Sequence, residues 1–545
     1  MLRRDFLTGT SLAMGLSAAG VGSAAPLKAA KSILDYGAKP DGKTLNTKAI
    51  QRAIDDVFKA GGGLVYAPPG RFLIGGLELK SRVTLYLEAG CVLLGSTSID
   101  DYDYHSGPPV QGDANGHHVI FAQKADDVTL CGLGTIDGQG QAYWETVDRP
   151  PIAPENEWKD VATFIHRPAN HNRRPSPMVE IAQCRNVRIS GVTLKNSSGW
   201  TLRPVNCDTV VIDGILIRNP PTGVNCDGID ITASTNVFVS NCDIMTGDDA
   251  ICLKSESPYG GDVLPTKNVT ITNCTLTTSC NGFKMGTATH GAFENIVFSN
   301  SVIYSNVNPV NARVIGGLSI ETVDGGTLDG VVVSNIRMQN VRAPIFVRLG
   351  ARKKNEGSFL RNVLIEGVDA EGAIVTSSIT GVPGLRPSDI TISNCRMRTV
   401  EGGEAGWAHR EIPEVVDKYP ECWMMGHLPA YGFYVRHADR VRLRNVEYIA
   451  DKPDGRPAIV CDDVEDAIFG GLELSKPAGD APLLDLRETR RAFVTGMRSP
   501  VGNKVFAQVS GASSAGITLL GNSLNEGEQA VSYGGGAAQG AAKAV

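Results

Sequence analysis

Aromatic side chains are scarce in this chain, 6 % of 545 residues, and cations do not outnumber anions, with 52 Lys and Arg against 58 Asp and Glu for a net charge of −6. Without a basic excess the electrostatic footprint of a nucleic-acid binder is missing, so no nucleic-acid partner is expected and any polyanion must be met by local cations. Past the N-terminal leader no apolar run reaches the roughly 20 residues that span a bilayer, so no membrane partner is expected either. Glycine, by contrast, is abundant at 62 residues, and β-branched residues fall in short alternating runs, the mark of a β-rich protein with many turns. The twelve cysteines are scattered, often in Asn-Cys pairs inside repeating strands (Cys207, Cys242, Cys274, Cys395). Most of them read as small buried apolar residues rather than a disulfide framework.

The first residues read as a targeting segment. Arg3 and Arg4 precede Phe6-Leu7, a Gly/Ala-rich apolar stretch and the small residues Ser23-Ala24-Ala25. This is the pattern of a twin-arginine export signal over residues 1–25, which puts the mature chain in the periplasm or outside the cell.

From about residue 185 one pattern recurs: "RNVRISGVTL", "DTVVIDGILI", "TNVFVSNCDI", "KNVTITNCTL", "ENIVFSNSVI", with later copies beyond. Each copy is two period-2 segments broken by Gly or Asn, and successive copies start about 23 to 35 residues apart with no helical stretch between them. That describes an all-β parallel solenoid in a single domain over residues 26–525, each coil burying its inward face on the next. A β-propeller needs longer blades and antiparallel hairpins, neither of which the repeats offer. Ala49, Ile50, Ala53, Ile54 and Val57 lie at helical spacing, predicting a helix that caps the first coil. Residues 526–545, rich in Gly and Ala, read as a flexible tail. Three long connections, 101–118, 141–175 and 401–434, carry Trp, Tyr, His and Arg. They read as functional loops that wall one end of a groove and favour release of terminal units.

The stretch "MTGDDAICLKS" sets Asp248 and Asp249 side by side ahead of an alternating strand, where adjacent charges are disfavoured. Aligning "CDGIDI", "DDAICL", "CNGFKM" and "GGLSIE" by their apolar alternation points Ile229, Ile231, Ile251, Leu253, Phe283, Met285, Leu318 and Ile320 inward. In that register Asp227 stacks with Asp249, Asn281 and Gly316 one coil apart, roughly 4.8 Å per step, with Asp248 beside them. Carboxylates so close push their pKa values apart, which suits acid/base hydrolysis.

At these residues the chain resembles glycoside hydrolase family 28, the polygalacturonase family of right-handed single-stranded parallel β-helices. Asn225-Cys226-Asp227 matches its Asn-x-Asp motif and Gly247-Asp248-Asp249 its paired-Asp motif, with 21 residues from Asp227 to Asp248. "LDYGAKPDGKTLNTKAIQRAI" and "GTIDGQGQAYW" extend the likeness over roughly residues 33 to 450. The resemblance implies inverting hydrolysis of α-glycosidic bonds in pectic chains by a monomeric, cofactor-free and metal-free enzyme. Asp248 would serve as general acid, with Asp227 and Asp249 holding and deprotonating the attacking water, and Asn225 near the substrate.

Two motifs depart from the family. Asn281 stands where its histidine belongs, and Ser319-Ile320-Glu321 where Arg-Ile-Lys grips a galacturonate carboxylate. Neighbouring columns offer a substitute grip: Lys284 shares one with Asp230 and Ser319, and Lys254 and Arg348 share one with Glu321. Asn225, Asp230, Lys254, Asn281, Lys284, Glu321 and Arg348 are therefore the expected substrate-binding residues. Alternative readings are a rhamnogalacturonan substrate, a Ca²⁺-dependent pectate lyase using Arg203 or Arg313 as base, and a non-hydrolytic carbohydrate-binding solenoid.

Overall fold

The computed structural model describes residues 30–105, 115–148, 164–306, 313–353 and 356–545. The expected export signal, and parts of the connections 101–118 and 141–175, lie outside these residues. Among the described residues forty strands join in one sheet whose ladders are parallel, and it winds into a parallel β-helix. One antiparallel pair stands apart, Trp144–Asp148 with Phe164–Pro168, and gives the second long connection a secondary structure its sequence did not announce.

The coils that carry the site are built from β1 (Val179–Ala182), β2 (Leu202–Val205), β3 (Ile229–Thr232), β4 (Ile251–Ser255), β5 (Phe283–Thr289), β6 (Val314–Thr322) and β7 (Val341–Leu349). Ile229 pairs with Ile251, Ile251 with Phe283, Phe283 with Leu318 and Leu318 with Ile345, the register expected from alternation. All five are fully buried in one continuous core. A one-residue slip would turn this apolar column outward, so burial of about 1.5–3 kcal/mol per side chain locks the register.

Corners are set by asparagine. Asn236, Asn268 and Asn295 adopt left-handed φ of 55–56°, a conformation Asn tolerates better than β-branched residues do. Their amides stack into a ladder in which Asn268 Nδ2 donates to Asn236 Oδ1 at 3.0 Å and Asn295 Nδ2 to Asn268 Oδ1 at 3.1 Å. The Asn-Val and Asn-Ile pairs of the repeat are these corners.

Helix α1 (Thr47–Lys59) buries Ile50, Ala53, Ile54 and Val57 against the first coils. At the other end the structure corrects the sequence. The tail expected to be flexible forms strands Gln529–Gly534 and Ala542–Ala544, which pair with Val505–Ser510 and Ile517–Leu520. Val531 and Tyr533 alternate in that segment and pack on the core. Low complexity of composition hid a period-2 pattern. None of the twelve cysteines forms a disulfide, and ten of them are buried.

Candidate active site

The backbone brings the acids together. Gly228 N donates to Asp249 O at 2.9 Å, Ala250 N to Asn281 O at 2.8 Å and Gly282 N to Gly316 O at 2.9 Å, so the parallel ladder runs on just ahead of β3 to β6. Asp227, Asp249, Asn281 and Gly316 thus occupy one column on successive coils. The Asp227-Gly228 pair is not a turn here. A Cβ on Gly228 would lie 2.3 Å from Ala250 O, and one on Gly247 2.4 Å from Gly223 O, so both glycines let neighbouring backbone close against the acids. Asp248 is pinned by its own carbonyl, which accepts from Thr246 Oγ1 at 2.6 Å and Thr278 Oγ1 at 2.5 Å, while its Oδ1 accepts from Asp249 N at 2.9 Å. Asn225, two residues before Asp227, is half-buried with φ 47°.

Electrostatics separates the three carboxyls. Burial and the Asp249 charge push Asp248 up to about 7, against the pull of Lys284. Burial, then Asp230 and Asp248, raise Asp227 well above the carboxylate range; its Oδ1 is buried without a hydrogen-bond partner. Burial acts on Asp249 too, but Lys284, Lys254 and Asn281 outweigh it and hold it below its ordinary value. Lys284 Nζ lies 3.4 Å from Asp249 Oδ2, and Asn281 Nδ2 donates to Asp249 Oδ1 at 2.8 Å. Burial by itself would discharge the two lysines, yet Asp230 for Lys254 and Asp249 for Lys284 keep both charged with pKa well above normal.

Several residues expected at the ligand serve the acids instead. Asp230 is fully buried and takes Lys254 Nζ at 2.8 Å, and the same ammonium stands 3.9 Å from Asp227 Oδ2. Asn281 is fully buried between Asp249 and Ser319, whose Oγ donates to Asn281 Oδ1 at 2.9 Å. Lys284 is 1 % exposed and divides its charge between Asp249 and Glu421 Oε1, also 3.4 Å away, so it is not a free carboxylate grip. Arg348 donates to the carbonyls of Gly381 at 2.9 Å and Glu414 at 2.8 Å, clamping the 401–434 connection rather than facing a groove. Glu321 is fully buried and is not paired by Lys254, whose acidic partners are Asp230 and Asp227; neither of its carboxyl oxygens has a hydrogen-bond partner.

Other site residues carried no signal in the repeats. Trp200 lies one coil before Asp227, with Lys254 Nζ 4.7 Å above its ring and the Arg203 guanidinium 5.2 Å away. Arg203 forks onto Glu180 with two 2.9 Å hydrogen bonds, and Tyr259 adds its hydroxyl to Glu180. From the 401–434 connection come Glu421 and Tyr419, whose ring lies 5.1 Å from Lys284 Nζ. Their aromatic and acidic character in a long loop was the only hint available.

Asp248, Asp249 and Cys280 present two carboxyl oxygens and a thiol sulfur within 4.8 Å of one another. The set suits no hard cation, because Ca²⁺ takes six to eight oxygens and burial keeps the Cys280 thiol protonated, its pKa far above normal. A lyase base is also missing at Arg203: burial opposes its charge, but Glu180 more than restores it, so the guanidinium stays protonated.

Paired acids of opposite protonation on the outer wall of a parallel β-helix, flanked by an indole and buried ammonium groups, define a β-helical glycosidase. The chain belongs to glycosyl hydrolases family 28, whose sequence profile matches residues 65–412. It is 27 % identical over 450 residues to a probable polygalacturonase of Vitis vinifera, covering 76 % of this chain and 86 % of that protein. It is 28 % identical over 342 residues to an exo-poly-alpha-D-galacturonosidase of Dickeya chrysanthemi, covering 57 % of this chain and 55 % of the other. In three dimensions it is similar to a Thermotoga maritima exopolygalacturonase (TM-score 0.58, 21 % identity, 77 % and 91 % of the two chains) and to the Yersinia enterocolitica family 28 exopolygalacturonase (0.53, 21 %, 83 % and 76 %).

Proposed function

We propose that the protein hydrolyses an α-glycosidic bond beside a galacturonate in pectic chains, with inversion and from a chain end. The observation that carries this reading is the opposite protonation of two neighbouring carboxyls, Asp248 held neutral up to about pH 7 and Asp249 held ionised. Asp248 gives its proton to the glycosidic oxygen as the C1–O bond breaks. A water oxygen bonds to C1 from the opposite face and loses its proton to Asp249, while Asp227 Oδ1 accepts a hydrogen bond from that water. Return of the proton to Asp248 through solvent closes the cycle.

Chain-end action is supported by the 401–434 connection, which Arg348 ties down and which lays Tyr419 and Glu421 over Lys284. Three of the similar proteins are named for exo action on polygalacturonate. The test is a timed incubation with polygalacturonate and with an alternating uronate–deoxyhexose pectic chain, following products by chromatography and the first-formed anomer by NMR. One short product accumulating from the outset, with inverted configuration, is expected; an early ladder of oligomers would remove exo action. Stereochemistry has to be measured because the Asp248 and Asp249 oxygens approach within 4.8 Å, nearer than the roughly 6.5–9.5 Å usual between inverting carboxyl groups. A retained anomer would make one of the acids a nucleophile.

We also propose export from the cytoplasm, supported by Arg3 and Arg4 ahead of the apolar run. Replacing both by Lys should leave the protein in the cytoplasmic fraction, and undiminished export would overturn this.

A further inference from the structure

One close neighbour of the paired acids has no part in the hydrolysis described above. Cys280 stands one coil after Asp248, as Asn281 does after Asp249: Ala250 N donates to Asn281 O at 2.8 Å, and on the next coil Ile315 N donates to Cys280 O at 2.6 Å. Thr278, the last residue of the strand Thr275–Thr278, ties Cys280 to the acid, because its hydroxyl donates to Asp248 O at 2.5 Å and accepts from Cys280 N at 2.9 Å. The Cys280 sulfur is thereby set within 4.8 Å of a carboxyl oxygen of Asp248 and of one of Asp249. Asn281 Nδ2, which donates to Asp249 Oδ1 at 2.8 Å, also donates to this sulfur at 3.4 Å. With that donor on the sulfur, the single thiol hydrogen is left for the carboxyls. Burial, then the charges of Asp248 and Asp249, keep the hydrogen on the sulfur.

We propose that Cys280 is a positioning residue for the hydrolysis, its S–H hydrogen bond passing from the Asp249 carboxylate to the Asp248 carboxylate as the negative charge changes sides. This rests on the hydrolytic reading given above. Before the glycosidic bond breaks the anion is Asp249 and the neutral acid is Asp248. Asp248 then gives its proton to the glycosidic oxygen while Asp249 takes one from water, so the charge moves from one carboxyl to the other with no net change. Lys284 is fixed 3.4 Å from Asp249 Oδ2 and Asn281 is bonded to Asp249 Oδ1, so both favour the starting arrangement. A thiol hydrogen within reach of both acids follows the charge by turning about the Cβ–Sγ bond, and it binds the ionised partner more strongly than the neutral one. The acidities carry the mark of both contacts. Burial and Asp249 raise Asp248, which Lys284 and then the Cys280 thiol draw back; burial acts on Asp249 too, which Lys284, Lys254, Asn281 and then the same thiol draw down. The other ionisable groups that face these acids are Asp227, Asp230, Glu321, Tyr419 and Glu421.

The test is the pH profile of kcat/KM for Cys280→Ala and Cys280→Ser beside the full-length wild type, on polygalacturonate or on the alternating uronate–deoxyhexose chain, whichever is cleaved. Losing the donor disfavours both carboxylates, so Cys280→Ala should move both limbs upward by about half a pH unit or more, with kcat down roughly tenfold and KM little changed. Cys280→Ser restores a donor and should bring back both limbs and most of kcat. Unmoved limbs in the alanine variant, or equal shifts in both variants, would overturn the proposal and leave the hydrolase intact. Asp248→Asn as active as wild type would overturn the hydrolytic reading, and this inference with it. A second measurement needs no variant: part of the wild-type infrared S–H stretch should shift as pH crosses about 7, where Asp248 takes up its charge. A band that stays unchanged through that pH would overturn the proposal even if both variants failed to fold.

Discussion

Asp248 is costly to hold. Its folded pKa of about 7 exceeds the unfolded value near 3.9, so the folded chain keeps a proton that the unfolded chain gives up. The stability this confers is complete below about pH 4 and is lost as pH rises to about 7. At roughly 1.4 kcal/mol per pKa unit the loss amounts to a few kcal/mol. Asp248→Asn should therefore melt with wild type at pH 4 and progressively above it toward pH 7, while losing at least about a thousandfold in kcat and retaining substrate binding. Wild-type kcat/KM should fall as pH rises past about 7, because the acid must be protonated. Lys284 acts on the other limb. It helps to hold Asp249 below the carboxylate range, so Lys284→Met should raise that pKa and shift the acidic limb of the kcat/KM profile upward, with kcat hit harder than KM. A profile that rises in KM alone would return Lys284 to the role of a carboxylate grip.

The 401–434 connection is the element that brings Tyr419 and Glu421 to Lys284 beside the acids. It is held by packing as well as by Arg348. Ile412, Met425 and Leu428 form a small apolar cluster with Tyr434 and Val460, and Trp407 stacks on His427 at 3.7 Å. Arg436 bonds Ile412 O at 2.7 Å, a second tie to the same segment. Removing the Arg348 fork leaves the carbonyls of Gly381 and Glu414 without their guanidinium and the loop less restrained. Arg348→Met should make the loop the first site of limited proteolysis and turn one short product into a series, with only a modest drop in Tm. An unchanged product pattern would mean that the loop does not set the mode of attack.

At the scale of the whole molecule, a solenoid is stable because every coil covers the next, and its ends are where that rule is tested. Gln529–Gly534 and Ala542–Ala544 extend the stack by pairing with Val505–Ser510 and Ile517–Leu520 one coil beneath them. Deleting 526–545 should lower Tm by several degrees and promote self-association through the uncovered strand edges, measured by calorimetry and light scattering; a neutral deletion would return this segment to the status of a loose tail.

Register was legible in the sequence because it obeys a strict period: apolar residues at alternate positions must face inward, so Ile251 could pair with Phe283 and not with its neighbour. With that column fixed, Asp227, Asp249 and Asn281 had to line up, and the acid cluster followed from the chain alone. The partners of those acids did not. Lys284 meets Glu421 across 137 residues of sequence, through a loop whose path no periodicity constrains. Arg348, at a column position that faces outward like those of the site, spends its guanidinium on main-chain carbonyls that only the folded loop brings within reach. Sequence by itself determined the coil and the row of acids, through the alternation of buried and exposed positions. Tertiary structure alone decided which charges answer them, because long side chains and long loops find partners by distance in space rather than by spacing along the chain.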